Sequence, residues 1–164
     1  MLAVHRFADG EKGMESSELL NSRPEMTRCV TRGARRYLRA CGFAVIAELP
    51  LPNGHRADLV ALSPDGGLRI VEVKSSYADF RADSKWTRYR DYCDRFYFAI
   101  PMELDAGIFP ADAGLIVADA HGGMLEREAP VLRLAPASRR AMLVRFGAHA
   151  AERYCALAFR DEHS

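Results

Sequence analysis

The sequence predicts a single α/β domain in which a mixed sheet is packed by helices, and three observations predict it. Residues Arg56 to Lys74 read RADLVALSPDGGLRIVEVK, two short apolar runs around a Ser63-Pro64-Asp65-Gly66-Gly67 turn cluster, which is the pattern of a β-hairpin. An amphipathic helical stretch precedes it, and an apolar strand pattern, Arg95 to Ile100, follows a second helical stretch. Helices and strands interleaved in this order place helices against a sheet.

The hairpin carries the chemistry. A five-residue loop from Ser63 to Gly67 sets Leu62 opposite Leu68, Val60 opposite Ile70 and Asp58 opposite Glu72. Strand side chains alternate with period two, so Lys74 shares the face of Glu72. Directly opposed residues have Cβ atoms roughly 4.5–5.5 Å apart, and like charges there destabilise. Two such charges about 5 Å apart repel by roughly 1–3 kcal/mol at surface-like dielectrics. A divalent cation removes that penalty, and Mg²⁺ or Mn²⁺ is the expected cofactor, with Asp58 and Glu72 as its ligands. Lys74 then orients water or offsets charge developing on a phosphate. The competing reading is a simple Asp58–Lys74 or Glu72–Lys74 ion pair on a hairpin.

The 164 residues are 49% hydrophobic and 27% charged, enough for one domain with a core. Net charge is +1, so any nucleic-acid surface must be local. Cys29, Cys41, Cys93 and Cys155 form no C-x-x-C pair, which argues against a zinc site or a disulfide framework and for reduced thiols in the cytoplasm. No apolar run is long enough to span a membrane, and the first residues lack the apolar core of a secretory signal.

Residues 1–21 show no clear periodicity and are expected to be a flexible tail, with residues 22–164 forming the single domain. Ser22 and Glu25 have capping-box spacing, with Pro24 in the first turn. Glu25 is alternatively an acidic ligand. The helix is expected to run to Cys41 and stop at Gly42. Met26, Cys29, Val30, Gly33, Ala34, Tyr37, Leu38 and Cys41 form one face. Arg28, Arg32, Arg35, Arg36 and Arg39 form the other, within an arc of about 100° and with no acidic residue among them. Such a stripe is either a solvated face or a contact for the phosphate backbone, and the lack of acids favours phosphate.

Phe43 to Leu49 reads as a strand, and Pro50, Pro52, Asn53 and Gly54 turn the chain into the hairpin. Glu48, near the end of that strand, is a third carboxylate for the site or an edge charge. His55 reads as a loop residue, and Arg56 joins the candidate DNA contacts. Ser76 and Asp79 repeat the capping-box spacing, and Asp83 is a second cap for a helix expected over Asp83 to Asp94. In it Trp86 and Tyr89 either stack on bases or fill the core, and helical spacing favours the core. Lys85 and Arg88 are candidate phosphate contacts. Leu115 to Ala118 and Met124 to Glu128 read as strands around a His121-Gly122-Gly123 turn. Ala137 to Phe159 reads as a helix, with Gly147 as a candidate break and Met142, Leu143, Phe146, Tyr154, Leu157 and Phe159 as apolar contacts.

Asp58 followed after thirteen residues by Glu72-Val73-Lys74, on adjoining strands, resembles the motif of the PD-(D/E)xK nuclease superfamily. The segments TRGARRYLRACGF, ELPLPNGHRADLVAL, VEVKSSYADFRADSKWTRYRDYCDRFYFAIP and AGLIVADAHGG resemble the MmcB-like DNA repair proteins over most of the chain. The resemblance implies a restriction-endonuclease-like core, a role in bacterial DNA repair, DNA as partner, and Asp58, Glu72 and Lys74 as the catalytic set of a Mg²⁺-dependent nuclease. Many superfamily members bind DNA without cutting it, so a non-catalytic accessory module that recruits repair partners is the alternative. Two departures stand out: Ala57 occupies the place of the usual proline, and the first helix offers no clear match to the usual glutamate.

Overall fold

The structure is a computed structural model, and it describes residues 22–159. The expected tail, residues 1–21, lies outside the described residues. Helix α1 spans Arg23–Ala40. Strands β1 (Ala44–Pro50), β2 (Arg56–Leu62) and β3 (Leu68–Val73) follow. A short helix α2 (Tyr77–Ala82) and a 3₁₀ helix (Trp86–Tyr92) lead into β4 (Arg95–Ile100). Strands β5 (Gly114–Ala118) and β6 (Gly123–Arg127) and helix α3 (Pro136–Ala158) complete the domain. One six-stranded sheet runs in sequence order, β1 to β6. β3, β4 and β5 are parallel neighbours, and the other pairings are antiparallel.

Each sheet face is sealed by different elements. Val30, Ala34 and Leu38 of α1 pack on Leu59, Ala61, Val71, Val73, Tyr97 and Ile116. Burying Val30 and Leu38 contributes roughly 1.5–3 kcal/mol each, so α1 is held by its apolar stripe rather than by its cap. The expected capping box at its start does not form, because Ser22 makes no side-chain cap bond and the Glu25 carboxylate turns instead to Arg28 at 2.6 Å. Arg28, one turn on, offers a charged donor that the backbone amide cannot match. Gly42 stops the helix as expected, at a positive φ of 86°.

On the opposite face Val60, Ile70, Phe96, Phe98 and Leu115 meet Tyr89, Cys93, Phe109, Met142 and Phe146. The expected helix over Asp83 to Asp94 is replaced by α2 and the 3₁₀ helix. Trp86, Tyr89 and Tyr92 recur every three residues, and in a 3₁₀ helix such residues eclipse one another, so all three turn toward the core. Trp86 stacks on Phe96 with ring centroids 5.6 Å apart, which fixes both aromatics as core. Ser76 caps α2 as its spacing predicts, accepting from the Asp79 amide at 3.2 Å. Helix α3 runs through Gly147 without a break, and Tyr154, Leu157 and Phe159 are exposed rather than packed. An α-helix tolerates one exposed glycine at roughly 1 kcal/mol.

Candidate functional site

The hairpin register is the one its loop length predicts: Leu62 pairs with Leu68 and Val60 with Ile70. The backbone ladder stops at Leu59–Val71, one step short of Asp58 and Glu72. There the side chains take over the ladder. The Val73 amide donates to Asp58 Oδ2 at 2.8 Å, and the Asp58 amide donates to Glu72 Oε1 at 3.2 Å. Each carboxylate is thereby fixed through one oxygen. Asp58 Oδ1 has no hydrogen-bond donor among the described residues, and Glu72 Oε2 has only Lys74, with Nζ 4.0 Å away.

Glu72 is 4% exposed and Lys74 is 6% exposed, so this is an interior site at the end of the sheet. Lys74 is engaged more closely by Asp83, whose Oδ2 lies 2.7 Å from Nζ. By its spacing Asp83 is a helix cap, yet its partner Lys74 lies across a turn and a helix. No local spacing rule reports such a pair. Burial opposes the charge on Lys74, but the hydrogen bond and charge of Asp83 outweigh it and raise its pKa. Burial also works against Asp83, whose pKa is nonetheless lowered by Lys74. With Lys74 drawn to Asp83, the acid pair is under-compensated. Burial first and the Asp58 charge second push Glu72 up to about 8. Asp58 is raised as well, chiefly by burial, against the pull of the Val73 amide and Lys74. An acid pair of which Glu72 is buried and Asp58 half-buried, short of one positive charge, takes up either a proton or a cation.

Asp58 Oδ1, without a donor among the described residues, and Glu72 Oε2, with Lys74 Nζ at 4.0 Å, suit a hard ion that keeps most of its waters and takes one or two carboxylates, which is Mg²⁺ chemistry. Among the described residues no group of three or more His, Cys, Asp or Glu side chains converges for a metal. Glu48 stands beside Asp58 in the β1–β2 register, but its φ of 58° turns it out of the pleat. Its carboxylate is exposed and lies 3.5 Å from both Arg56 and Arg153. Arginine pairing thus accounts for Glu48 without a metal.

Two clefts meet at Asp58. One, of about 460 Å³, is lined by Asp58, Glu72, Lys74, Asp79 and Asp83 and bordered by Arg56, Lys85 and Thr27. The other, of about 420 Å³, runs along α1 and is lined by Thr27, Arg28, Thr31, Arg32, Arg35 and Glu48, with Asp58 at its end. The structure therefore brings Arg28, Arg32, Arg35, Arg56 and Lys85 toward the acid pair. It leaves out three other candidates. Arg36 donates to the carbonyls of Ala120 and His121 at 3.3 and 3.1 Å. Arg39 and Arg88 are exposed and line neither cleft. Thr27 and Thr31 join the site without being candidates from the sequence, although both lie on the cleft side of the same helical stripe.

Fold and site together define a single α/β domain with a buried acid–lysine cluster beside a basic cleft. The family model described as DNA repair protein MmcB-like matches residues 16–161, and the chain belongs to that family. Among solved structures it is similar to the SPO1766 protein of unknown function from Silicibacter pomeroyi, at 42% identity and a TM-score of 0.79, with 84% of this chain and 94% of that chain covered. No curated protein matches the chain. No helix among the described residues is long and apolar enough to cross a membrane.

Proposed function

We propose that this protein acts in DNA repair as a Mg²⁺- or Mn²⁺-dependent DNA phosphodiesterase with a PD-(D/E)xK site on a restriction-endonuclease-like core. The observation that carries this reading is the reciprocal clamp of Asp58 and Glu72. Each carboxylate is locked by a backbone amide of the other strand through one oxygen, and its second oxygen takes no part in that bond. A structural ion pair has no need of a second, half-buried acid fixed beside the buried one. Asp58 and Glu72 would hold the cation, which when bound supplies positive charge to a phosphate and acidifies water. Lys74, kept charged by Asp83, steadies negative charge that develops on the scissile phosphate. Arg28, Arg32 and Arg35 fix the nucleic-acid backbone along the adjoining cleft, while Arg56 and Lys85 flank the acids.

The test is cleavage of branched, single-stranded and nicked DNA by purified protein with Mg²⁺ or Mn²⁺ and with EDTA. Glu72→Gln and Lys74→Met should each abolish metal-dependent cleavage while DNA binding persists. Cleavage that survives in both variants would place the chemistry elsewhere. A second reading, a DNA-binding module without cleavage that recruits repair partners, is favoured by the 2.7 Å Lys74–Asp83 pair, which draws the lysine away from the acids. Binding with no cleavage of any substrate would select it.

A further inference from the structure

Helix α3 buries one face through Met142 and Phe146 and leaves the opposite face bare. On the bare face Ala141, Val144, Ala148, Ala151, Cys155 and Ala158 follow at alternating intervals of three and four. That alternation is the seam spacing of two paired helices, narrower than the stripe of a helix lying on a domain. All six are exposed, Val144 at 66%. From Ala151 to the end of α3 no residue is buried, and Tyr154 and Leu157 are 68% and 67% exposed. A helical end held to the domain by no buried side chain, with the exposed Arg153–Glu48 ion pair at 3.5 Å as its tie to β1, is marginal in water.

We propose that this face is a dimer interface: a second copy of the chain pairs with it through its own α3, antiparallel, with Ala148 against the partner's Ala151 and Val144 against the partner's Cys155. The face is complementary to itself only in this sense. Arg145 and Glu152 lie on one flank, seven residues apart, and the two-fold sets Arg145 opposite the partner's Glu152 twice over. On the other flank it sets Tyr154 opposite the partner's Gly147, where a Cβ would meet nothing within 4 Å. Parallel pairing would instead set Arg140 against the partner's Arg145, a repulsive contact. The exposed half of each helix also has a place to lie. A groove of about 670 Å³ runs beside the first half of α3, against Leu49 and Pro50 at the end of β1.

Sedimentation equilibrium of the full chain, with the charge and cysteine variants, tests this. The parent should have twice the chain mass, and Ala148→Glu or Arg145→Glu should weaken association by roughly tenfold or more, as unmatched charge does at an interface. Combining Arg145→Glu with Glu152→Arg should restore it, which a folding defect would not allow. Val144→Cys should form an interchain disulfide with Cys155 under mild oxidant, and adding Cys155→Ala should remove it. In the parent the two Cys155 thiols lie roughly 16 Å apart along the helix and should not cross-link. A parent that stays monomeric at every concentration overturns the proposal. So does a dimer indifferent to both charge substitutions, or one that cross-links through Cys155 alone.

Discussion

The single residue with most leverage on this site is Glu72, because burial sets its protonation state. Its carboxyl is raised from 4.5 to about 8, so the folded state holds the proton more tightly than the unfolded chain does. A raised carboxyl contributes stability that is full below about pH 4.5 and lost as pH climbs through about 8. Asp58, also raised, acts in the same direction. Each pH unit between those two values corresponds to about 1.36 kcal/mol, so without divalent metal the fold should lose on the order of 3–5 kcal/mol across that window. Chemical unfolding in EDTA at several pH values measures it. Glu72→Gln should flatten the profile, and millimolar Mg²⁺ should restore parent stability near pH 8 by binding the native state. A parent profile that is flat or rises over this window would mean Glu72 stays charged and compensated. Glu48 gives a second test at this scale. Its φ of 58° costs of order 1 kcal/mol, and Glu48→Gly should leave stability equal or higher while metal affinity stays unchanged. A large loss of metal affinity would make Glu48 a ligand after all.

At the scale of elements, α1 and the hairpin are legible in the sequence for different reasons. The hairpin register follows from a five-residue turn and two apolar faces, since a one-residue slip would send Val60 and Ile70 to the wrong side of the sheet. The buried stripe of α1 follows from its 3.6-residue period. What the sequence hides is pairing across space. Lys74 finds Asp83 beyond α2, and Arg36 finds the carbonyls of a turn more than eighty residues away. Trp86 and Tyr89 are readable as core, but their spacing of three also fits an α-helix, so the tighter 3₁₀ winding that brings Tyr92 in with them stays hidden. The arginine stripe is split by its contacts. If α1 meets phosphates, Arg32→Ala with Arg35→Ala should weaken binding to all sequences alike and flatten the dependence of log affinity on log salt by about 0.9 per lost duplex contact. The same pair of substitutions at Arg36 and Arg39 should change that slope far less. Equal slopes for both pairs would make the cleft-facing arginines an ordinary solvated surface.

At the scale of the whole molecule, α1 spans the sheet from the site to its far edge and so couples the two. Its first turns carry Thr27, Arg28 and Arg32 beside Asp58, and its middle rests on the turn between β5 and β6. The close approach there depends on Gly33. A Cβ at that position would fall well inside van der Waals contact with the backbone oxygens of Asp119 and Gly122. Those atoms belong to a turn pinned by the Asp119 amide on the Gly122 carbonyl at 2.9 Å and by the Asp119 carboxylate, which accepts from the His121 and Gly122 amides. The turn cannot give way without breaking these bonds, so the helix must move instead. Gly33→Ala should cost roughly 1–3 kcal/mol, as overpacking does, despite alanine being the better helix former. The displaced helix carries its arginines with it, so DNA affinity should fall although Gly33 touches no cleft. Unfolding free energies and binding at fixed salt measure the two effects on one variant. A stable Gly33→Ala protein with parental affinity would show that α1 rides on its apolar stripe alone and that its contact with the turn is incidental.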